Sequence, residues 1–255
     1  MLYEREFAHI YDFIVHDKEE ALAEKRELAF IQWAFQQGPR HLREILDIGC
    51  GKGRYLIPLA QAGNKVVGLD NSSEMLEDCR LRLHKRGLQA DLFLADFETL
   101  NFDQSFDAVI CMNSVICYLL ETQRILSALT RFRQALRPKG ILVLDIWNIL
   151  AQWELFGKST SHHFENESIR IEWSESYEYE NFTSIFRGKY WGQFVENGVT
   201  HQFHREEILR AMTAGEMKMY LKTAGFINVM AFADYNCSEY GCDNAEVMAF
   251  VAFRG

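Results

Sequence analysis

The sequence predicts an α/β fold: a doubly wound, mainly parallel sheet of seven strands, with an antiparallel sheet inserted after the fifth. Three observations predict it. Between residues 45 and 146, short apolar runs alternate with helical patterns five times, as parallel strands joined by crossover helices do. Those runs are apolar almost throughout, as in strands covered on both faces. Beyond about residue 150 the pattern turns aromatic and β-branched, broken at Asn181 and Asn197-Gly198, and Asn-Gly is a strong hairpin signal.

Residues 2–37 read as helices, with Phe7, Ile10, Tyr11 and Ile14 at helical spacing and Leu22, Leu28, Ile31 and Phe35 less regularly placed. Residues 45–48 form the first strand, followed by glycines and a helical run through 56–62. Residues 66–69 form the second strand, ending at Asp70. Asn71 or Ser72 then caps a helix that carries Glu74 in its first turn. The third strand, 92–95, ends at Asp96, and the fourth covers 106–112. A helix over 122–136 stops at the breaker cluster Arg137-Pro138-Lys139-Gly140, before a fifth strand at 141–146. Residues 169–180, 182–196 and 199–209 read as the inserted antiparallel strands. A helix over 214–224 and strands near 229–234 and 246–253 complete the main sheet. The expected division is a cofactor-binding unit of 1–148 and 210–255, with an N-terminal helical cap at 1–40. The insert is 149–209, a sheet for substrate binding or dimerisation.

Composition narrows the function classes. The 255 residues carry a formal charge of -9, and 48% of them are apolar. An acidic chain argues against a broad phosphate-backbone interface and against anionic membranes. No apolar run approaches the roughly 20 residues of a membrane span, and the N-terminus lacks a signal-peptide core, so the cytoplasm is expected. Cys50, Cys79, Cys111, Cys117, Cys237 and Cys242 form no CxxC pair and read as free thiols rather than as metal ligands or disulfides.

The chemistry concentrates in Gly49-Cys50-Gly51-Lys52-Gly53, which follows a strand and opens a helix. Glycine lets a nucleotide-bearing cofactor approach the backbone without a Cβ clash. Asp47 lies in the strand just ahead. Asp70 ends the next strand about 20 residues on, where a carboxylate accepts hydrogen bonds from ribose hydroxyls. Asp96 ends the third, placed to accept from an adenine amino group. Each acid alone would serve equally well as a helix cap, but three fall at successive strand ends. The dinucleotide fingerprint G-x-G-x-x-G is not met, because Arg54 stands at its third glycine. An NAD(P)-dependent oxidoreductase is thus the weaker reading.

These residues resemble the class I S-adenosylmethionine (SAM)-dependent methyltransferases, whose fold is Rossmann-like. The strings carrying the resemblance are ILDIGCGKGRY, VVGLDNSSEML, the Asp96-Phe97 loop, FDAVICMNSVICYL and LRPKGILVLDIW. The resemblance implies that Gly49, Gly51 and Gly53 contact the methionine portion of SAM, and that Asp70, with Asn71 beside it, binds the ribose. It further implies that Met75 packs on adenine, that Asp96 and Phe97 hold its amino edge, and that Met112 and Asn113 line the sulfonium side. Tyr3 and Tyr11 would reach the cofactor from an N-terminal segment folded over it. FAHIYDFIV, CMNSVICYL and LDIWN are similar to small-molecule enzymes that dimethylate amino sugars, with glycine and sarcosine methyltransferases as looser relatives. In the amino-sugar enzymes an aromatic inserted sheet takes part in substrate binding or dimerisation, which leaves a homodimer open. Asn113-Ser114-Val115-Ile116 lacks the two prolines of enzymes that methylate nucleic-acid bases or glutamine, so nucleic acid is not the expected partner.

The expected reaction moves a methyl group from SAM to a small-molecule acceptor, an amine nitrogen, and leaves S-adenosylhomocysteine. Tyr118, beyond the fourth strand, and His204 are the catalytic candidates, the latter as a base. Trp147 is a candidate pocket wall. His201 and His204 form an HxxH string, but residues three apart on a strand point to opposite faces, so no joint metal site is expected. A non-catalytic SAM-binding protein is the remaining alternative.

Overall fold

The computed structural model describes residues 6, 7, 9, 10, 18–38, 42–238 and 245–255. A helix, α1 (Lys18–Gln37), precedes β1 (Glu44–Ile48), α2 (Leu56–Gln61), β2 (Lys65–Asp70), α3 (Ser73–Lys85), β3 (Asp91–Leu94) and β4 (Phe106–Cys111). Then come α4 (Thr122–Ala135), β5 (Leu136–Trp147) and the inserted strands β6 (Ser159–Glu165), β7 (Ile169–Glu180), β8 (Ile185–Glu196) and β9 (Val199–Arg210). Helix α5 (Ala214–Thr223) leads to β10 (Phe226–Phe232) and β11 (Val247–Arg254).

The main sheet has seven strands in the order β10-β11-β5-β4-β1-β2-β3, and the insert forms its own sheet, β6-β7-β8-β9. β1 to β5 run parallel, and β11 runs antiparallel to both β5 and β10. The order reverses between β1 and β4, and open α/β sheets bind ligands at such a switch point, beyond the carboxyl ends of the strands.

Both faces of the central strands are covered, which is why those strands are apolar at successive positions; the edge strand β3 is largely exposed. Leu46, Ile48, Val109, Leu142 and Leu144 pack toward α4 and α5, against Ile125, Leu129, Phe132 and Leu221. Their neighbours Ile45, Ala108, Ile110, Ile141 and Val143 pack toward α1, α2 and α3, against Phe30, Ile31, Leu56 and Leu76. Ser72 caps α3 by accepting the Met75 N–H at 3.2 Å. Among the described residues no helix is long and apolar enough to cross a membrane, and Cys50, Cys79, Cys111, Cys117 and Cys237 are free; Cys242 lies outside the described residues.

Two expectations need correction. The breaker cluster ends α4, but β5 starts at once, at Leu136. Arg137–Gly140 bulges out of the ladder with Lys139 at φ 66°, shifting the pairing from Phe106 with Leu136 to Ala108 with Ile141. The Arg137 guanidinium ties the bulge down on Asp107 at 2.8 Å and on Glu44. The insert also has four strands rather than three. β6 reads STSHHFE, nearly all of it exposed, so it carries no apolar alternation; its ladder to β7 holds it. His162 and His163 are solvated residues of this strand. The expected turns at Asn181 and Asn197-Gly198 fall between β7 and β8 and between β8 and β9.

Candidate active site

A cavity of about 980 Å³ opens beyond the carboxyl ends of β1, β2 and β4, between the main sheet and the insert. The β1–α2 loop forms its floor. The N–H groups of Gly49 and Cys50 donate to the Leu69 carbonyl at 2.7 and 3.0 Å, which bends the chain sharply after β1. Gly49 sits at φ 72°, and a Cβ there would lie 2.6 Å from the Val115 side chain. Only glycine tolerates both the dihedral and the approach. At Gly51 nothing lies within 4 Å of a Cβ position, so the backbone presents an open face.

Asp70 organises the neighbouring edge. Its Oδ2 accepts the Gly51 N–H at 2.8 Å and its Oδ1 accepts the Ser72 N–H at 2.9 Å. The Asn71 N–H is a third backbone donor, and a carboxylate offers about four acceptor positions, so one remains. Burial pushes the Asp70 carboxyl above its usual range, and its backbone hydrogen bonds oppose the shift. Asn71, Met75, Asp96 and Phe97 continue the same wall. Phe97 is braced edge-on by Phe132 at 6.3 Å.

The β4–α4 turn forms the next wall, and an acid that sequence reasoning did not single out fixes it. Asp145, fully buried on β5, accepts the Asn113 N–H at 3.0 Å and the Ser114 N–H at 2.6 Å. It also accepts the Tyr235 hydroxyl at 2.7 Å. The two turn residues are held at φ 61° and 59°. Burial raises the Asp145 carboxyl to about 6 despite these three donors. Its signal in the sequence was an acid inside an otherwise apolar strand. Trp147, two residues on, donates its N–H to the Ser114 hydroxyl at 2.7 Å. Its ring packs edge-on against Phe186 of the insert at 5.0 Å.

The insert supplies charged and phenolic groups. Arg205, Glu207 and Leu209, at alternate positions of β9, line the cavity with Tyr190 of β8. Tyr118 donates its hydroxyl to Glu207 and accepts from Arg205 at 3.0 Å. A second cluster joins α1 to the glycine loop. Glu27 accepts from Arg54 Nε at 2.9 Å and from the Tyr55 hydroxyl at 2.8 Å. Arg54, the residue that broke the dinucleotide fingerprint, thus anchors a helix. Glu27 and Glu207 carried no motif; each is an acid among apolar or mixed neighbours and is marked only by where the fold puts it.

Of the expected residues, Gly49, Gly51, Gly53, Asp70, Asn71, Met75, Asp96, Phe97, Asn113 and Tyr118 line this one cavity. Asp47 does not: it is buried behind the loop, it accepts the Leu56 N–H, and burial together with the Asp70 charge raises it to about 8. Its Oδ2 has no hydrogen-bond partner among the described residues. Met112 is likewise core, packed on the α1 side of the sheet. His204 is a correction: it is exposed, on the β9 face opposite Arg205 and Glu207, because strand side chains alternate. His201, on the other face from His204, stacks on Phe194 at 4.7 Å. Tyr3 and Tyr11 lie outside the described residues.

The donor set fits an adenosyl cofactor: an open glycine backbone, a strand-end carboxylate with acceptor capacity left, and a wall of Met75, Asp96 and Phe97. Comparison with known proteins points to the same class. A family model described as a methyltransferase domain matches residues 45–140. The Bacillus subtilis (strain 168) protein YqeM, named as a methyltransferase, is 30% identical over 198 residues, covering 76% of this chain and 78% of the relative. A dTDP-3-amino-3,6-dideoxy-α-D-glucopyranose N,N-dimethyltransferase of Streptomyces fradiae is 30% identical over 145 residues, 57% of this chain and 54% of the relative. An S-adenosylmethionine-dependent methyltransferase structure from Clostridium acetobutylicum ATCC 824 superposes with TM-score 0.82 at 19% identity, over 98% of both chains. The chain belongs to the SAM-dependent methyltransferases. It is an enzyme of the class I, Rossmann-like type with an antiparallel sheet inserted after β5, and the nicotinamide reading is set aside.

Proposed function

We propose that this enzyme methylates the amine nitrogen of a small-molecule acceptor, which binds between the glycine loop and the inserted sheet. The single observation that carries the reading is the shared cavity. One space of about 980 Å³ is walled both by the loop and strand-end acids and by Tyr118, Trp147, Tyr190 and Glu207. That juxtaposition suits a two-substrate transfer. The partial match to an amino-sugar N,N-dimethyltransferase supports nitrogen as the acceptor atom.

Each residue has an assigned part. Gly49, Gly51 and Gly53 give backbone access to the methionine end of SAM. Asp70, with Asn71 beside it, takes the ribose hydroxyls; Met75, Asp96 and Phe97 enclose the adenine. Asn113, in a turn fixed by Asp145, lines the sulfonium side. When bound, SAM supplies a methyl carbon carried on a sulfonium. Tyr118 and Trp147 hold the acceptor in line with that carbon, and alignment of two reactants is worth roughly 7–11 kcal/mol in the best intramolecular cases. Aromatic faces also favour a cationic centre, by roughly 0.5–2 kcal/mol. Residues 1–148 and 210–255 form the cofactor-binding unit, with 1–40 as its cap, and 149–209 form the acceptor-binding or dimerisation sheet. A cytoplasmic protein, with no nucleic-acid partner and with a homodimer as its assembly, completes the reading.

The test is transfer of isotopically labelled methyl from SAM across a panel of small amines matched with alcohols. Label in the amines, inhibited by S-adenosylhomocysteine, is the expected result. Label confined to the alcohols would move the acceptor to oxygen. No transfer to any member, with SAM bound, would favour a non-catalytic SAM-binding protein.

A further inference from the structure

We infer that Glu207 is the acceptor-recognition residue: its carboxylate receives the amine of the substrate inside an aromatic enclosure of Tyr118, Trp147 and Tyr190. The inference rests on amine methylation as proposed above and names the side chain that selects the amine.

Glu207 reaches the cavity through strand alternation on β9, and its side chain is 17% exposed. Its oxygens are met by three donors. Tyr118 donates to Oε1, Arg205 approaches the same oxygen at 3.4 Å, and Tyr190 donates to Oε2 at 3.4 Å. A carboxylate has about four acceptor positions, so one is left for an incoming N–H. Arg205 does not spend its charge on Glu207 alone. It also donates to the Tyr118 hydroxyl at 3.0 Å, and its guanidinium lies over the Phe7 ring at 4.7 Å. Burial, with the Glu207 charge, holds the Tyr190 hydroxyl well above the usual phenol range, so it stays a donor.

The chemistry makes use of a carboxylate at this place. The nitrogen lone pair forms the bond to the methyl carbon while the carbon–sulfur bond breaks and leaves its electron pair on sulfur. Positive charge thereby passes from sulfur to nitrogen, and the proton that nitrogen then sheds goes to water. A fixed carboxylate beside the nitrogen stabilises this charge as it appears, more in the transition state than in the free amine. A hydrogen bond from the amine N–H to Glu207 also turns the lone pair away from the carboxylate, toward the donor side.

The experiment needs no knowledge of the natural acceptor. Protein saturated with S-adenosylhomocysteine is titrated, by saturation-transfer NMR, with benzylamine and 2-amino-2-deoxyglucose and with benzyl alcohol and glucose as uncharged counterparts. The amines should bind at least about tenfold more tightly than their counterparts, a difference of about 1.4 kcal/mol. Glu207→Gln should erase that preference and Glu207→Asp should keep part of it, while calorimetric affinity for S-adenosylhomocysteine stays within about twofold in both. No amine preference in the wild type, or one that survives Glu207→Gln, overturns the inference. So does joint loss of amine binding, S-adenosylhomocysteine binding and thermal stability in Glu207→Gln, which would make Glu207 a strut for the insert. A wild-type protein that fails to bind S-adenosylhomocysteine refutes the proposed function itself, and the calorimetry separates that failure from the others.

Discussion

The two sides of the cavity are built by different means. On the main sheet, strand ends and tight turns present backbone and short acids, with Gly49, Gly51, Asp70 and Asn113 locked by N–H bonds into one geometry. On the insert, long side chains of twelve-residue strands reach in at alternate positions, and Arg205, Glu207 and Tyr190 hold one another and Tyr118 of the β4–α4 turn. The first arrangement suits a ligand that is always the same. The second can be rewritten residue by residue without disturbing a ladder, which suits the acceptor side proposed above.

Glycine substitution separates the two sides most sharply. Gly49→Ala places a methyl 2.6 Å from Val115 at φ 72°, combining backbone strain with overpacking, and should cost about 2–5 kcal/mol. Gly198→Ala, in the β8–β9 turn, has a similar φ of 77° but nothing within 4 Å. Backbone strain alone predicts about 1–2 kcal/mol. Urea unfolding of both variants checks this, and equal losses would mean that the close approach at Gly49 contributes nothing.

Titration gives a smaller, pH-dependent contrast. Asp47 is raised to about 8 in the folded protein, first by burial and then by the Asp70 charge. A carboxyl with a raised folded pKa contributes stability that is complete below its unfolded pKa and lost as pH rises through the folded one. The ligand-free protein should therefore lose stability from this group between about pH 4 and 8, with a slope of up to about 1.4 kcal/mol per unit. Asp47→Asn should flatten that slope. Urea midpoints measured across the window decide it, and parallel slopes in the two proteins would show that Asp47 is ionised throughout.

The least effect is expected outside the cavity. His204→Ala, on the exposed face of β9, should change stability by less than about 0.5 kcal/mol and leave methyl transfer unchanged. A large loss of transfer would restore the histidine as a base and demand a rearranged insert.

The cofactor side was legible because its constraints are local. A glycine that must adopt a positive φ, or an acid that must end a strand, is written at a fixed distance from its neighbours. The proposed acceptor side was not, because Glu207 meets Tyr118 across 89 residues and nothing near either marks the meeting. His204 was singled out for its chemistry, while strand alternation handed the position to its neighbours. Asp145 and Asp47 show the same limit from the other side. Both are acids in apolar strands, and which one faces the cavity depends on sheet order rather than on the run of residues. β6 escaped notice because its ladder to β7, not hydrophobic alternation, makes it a strand.

The most direct test of the central claim is calorimetry with S-adenosylhomocysteine on the wild type and on Asp70→Ala. One site per chain is expected in the wild type and an affinity at least about tenfold weaker in the variant, since a hydrogen bond to a charged group contributes about 1.5–3 kcal/mol. Undetectable binding in the wild type, or equal affinity in the two proteins, would contradict it.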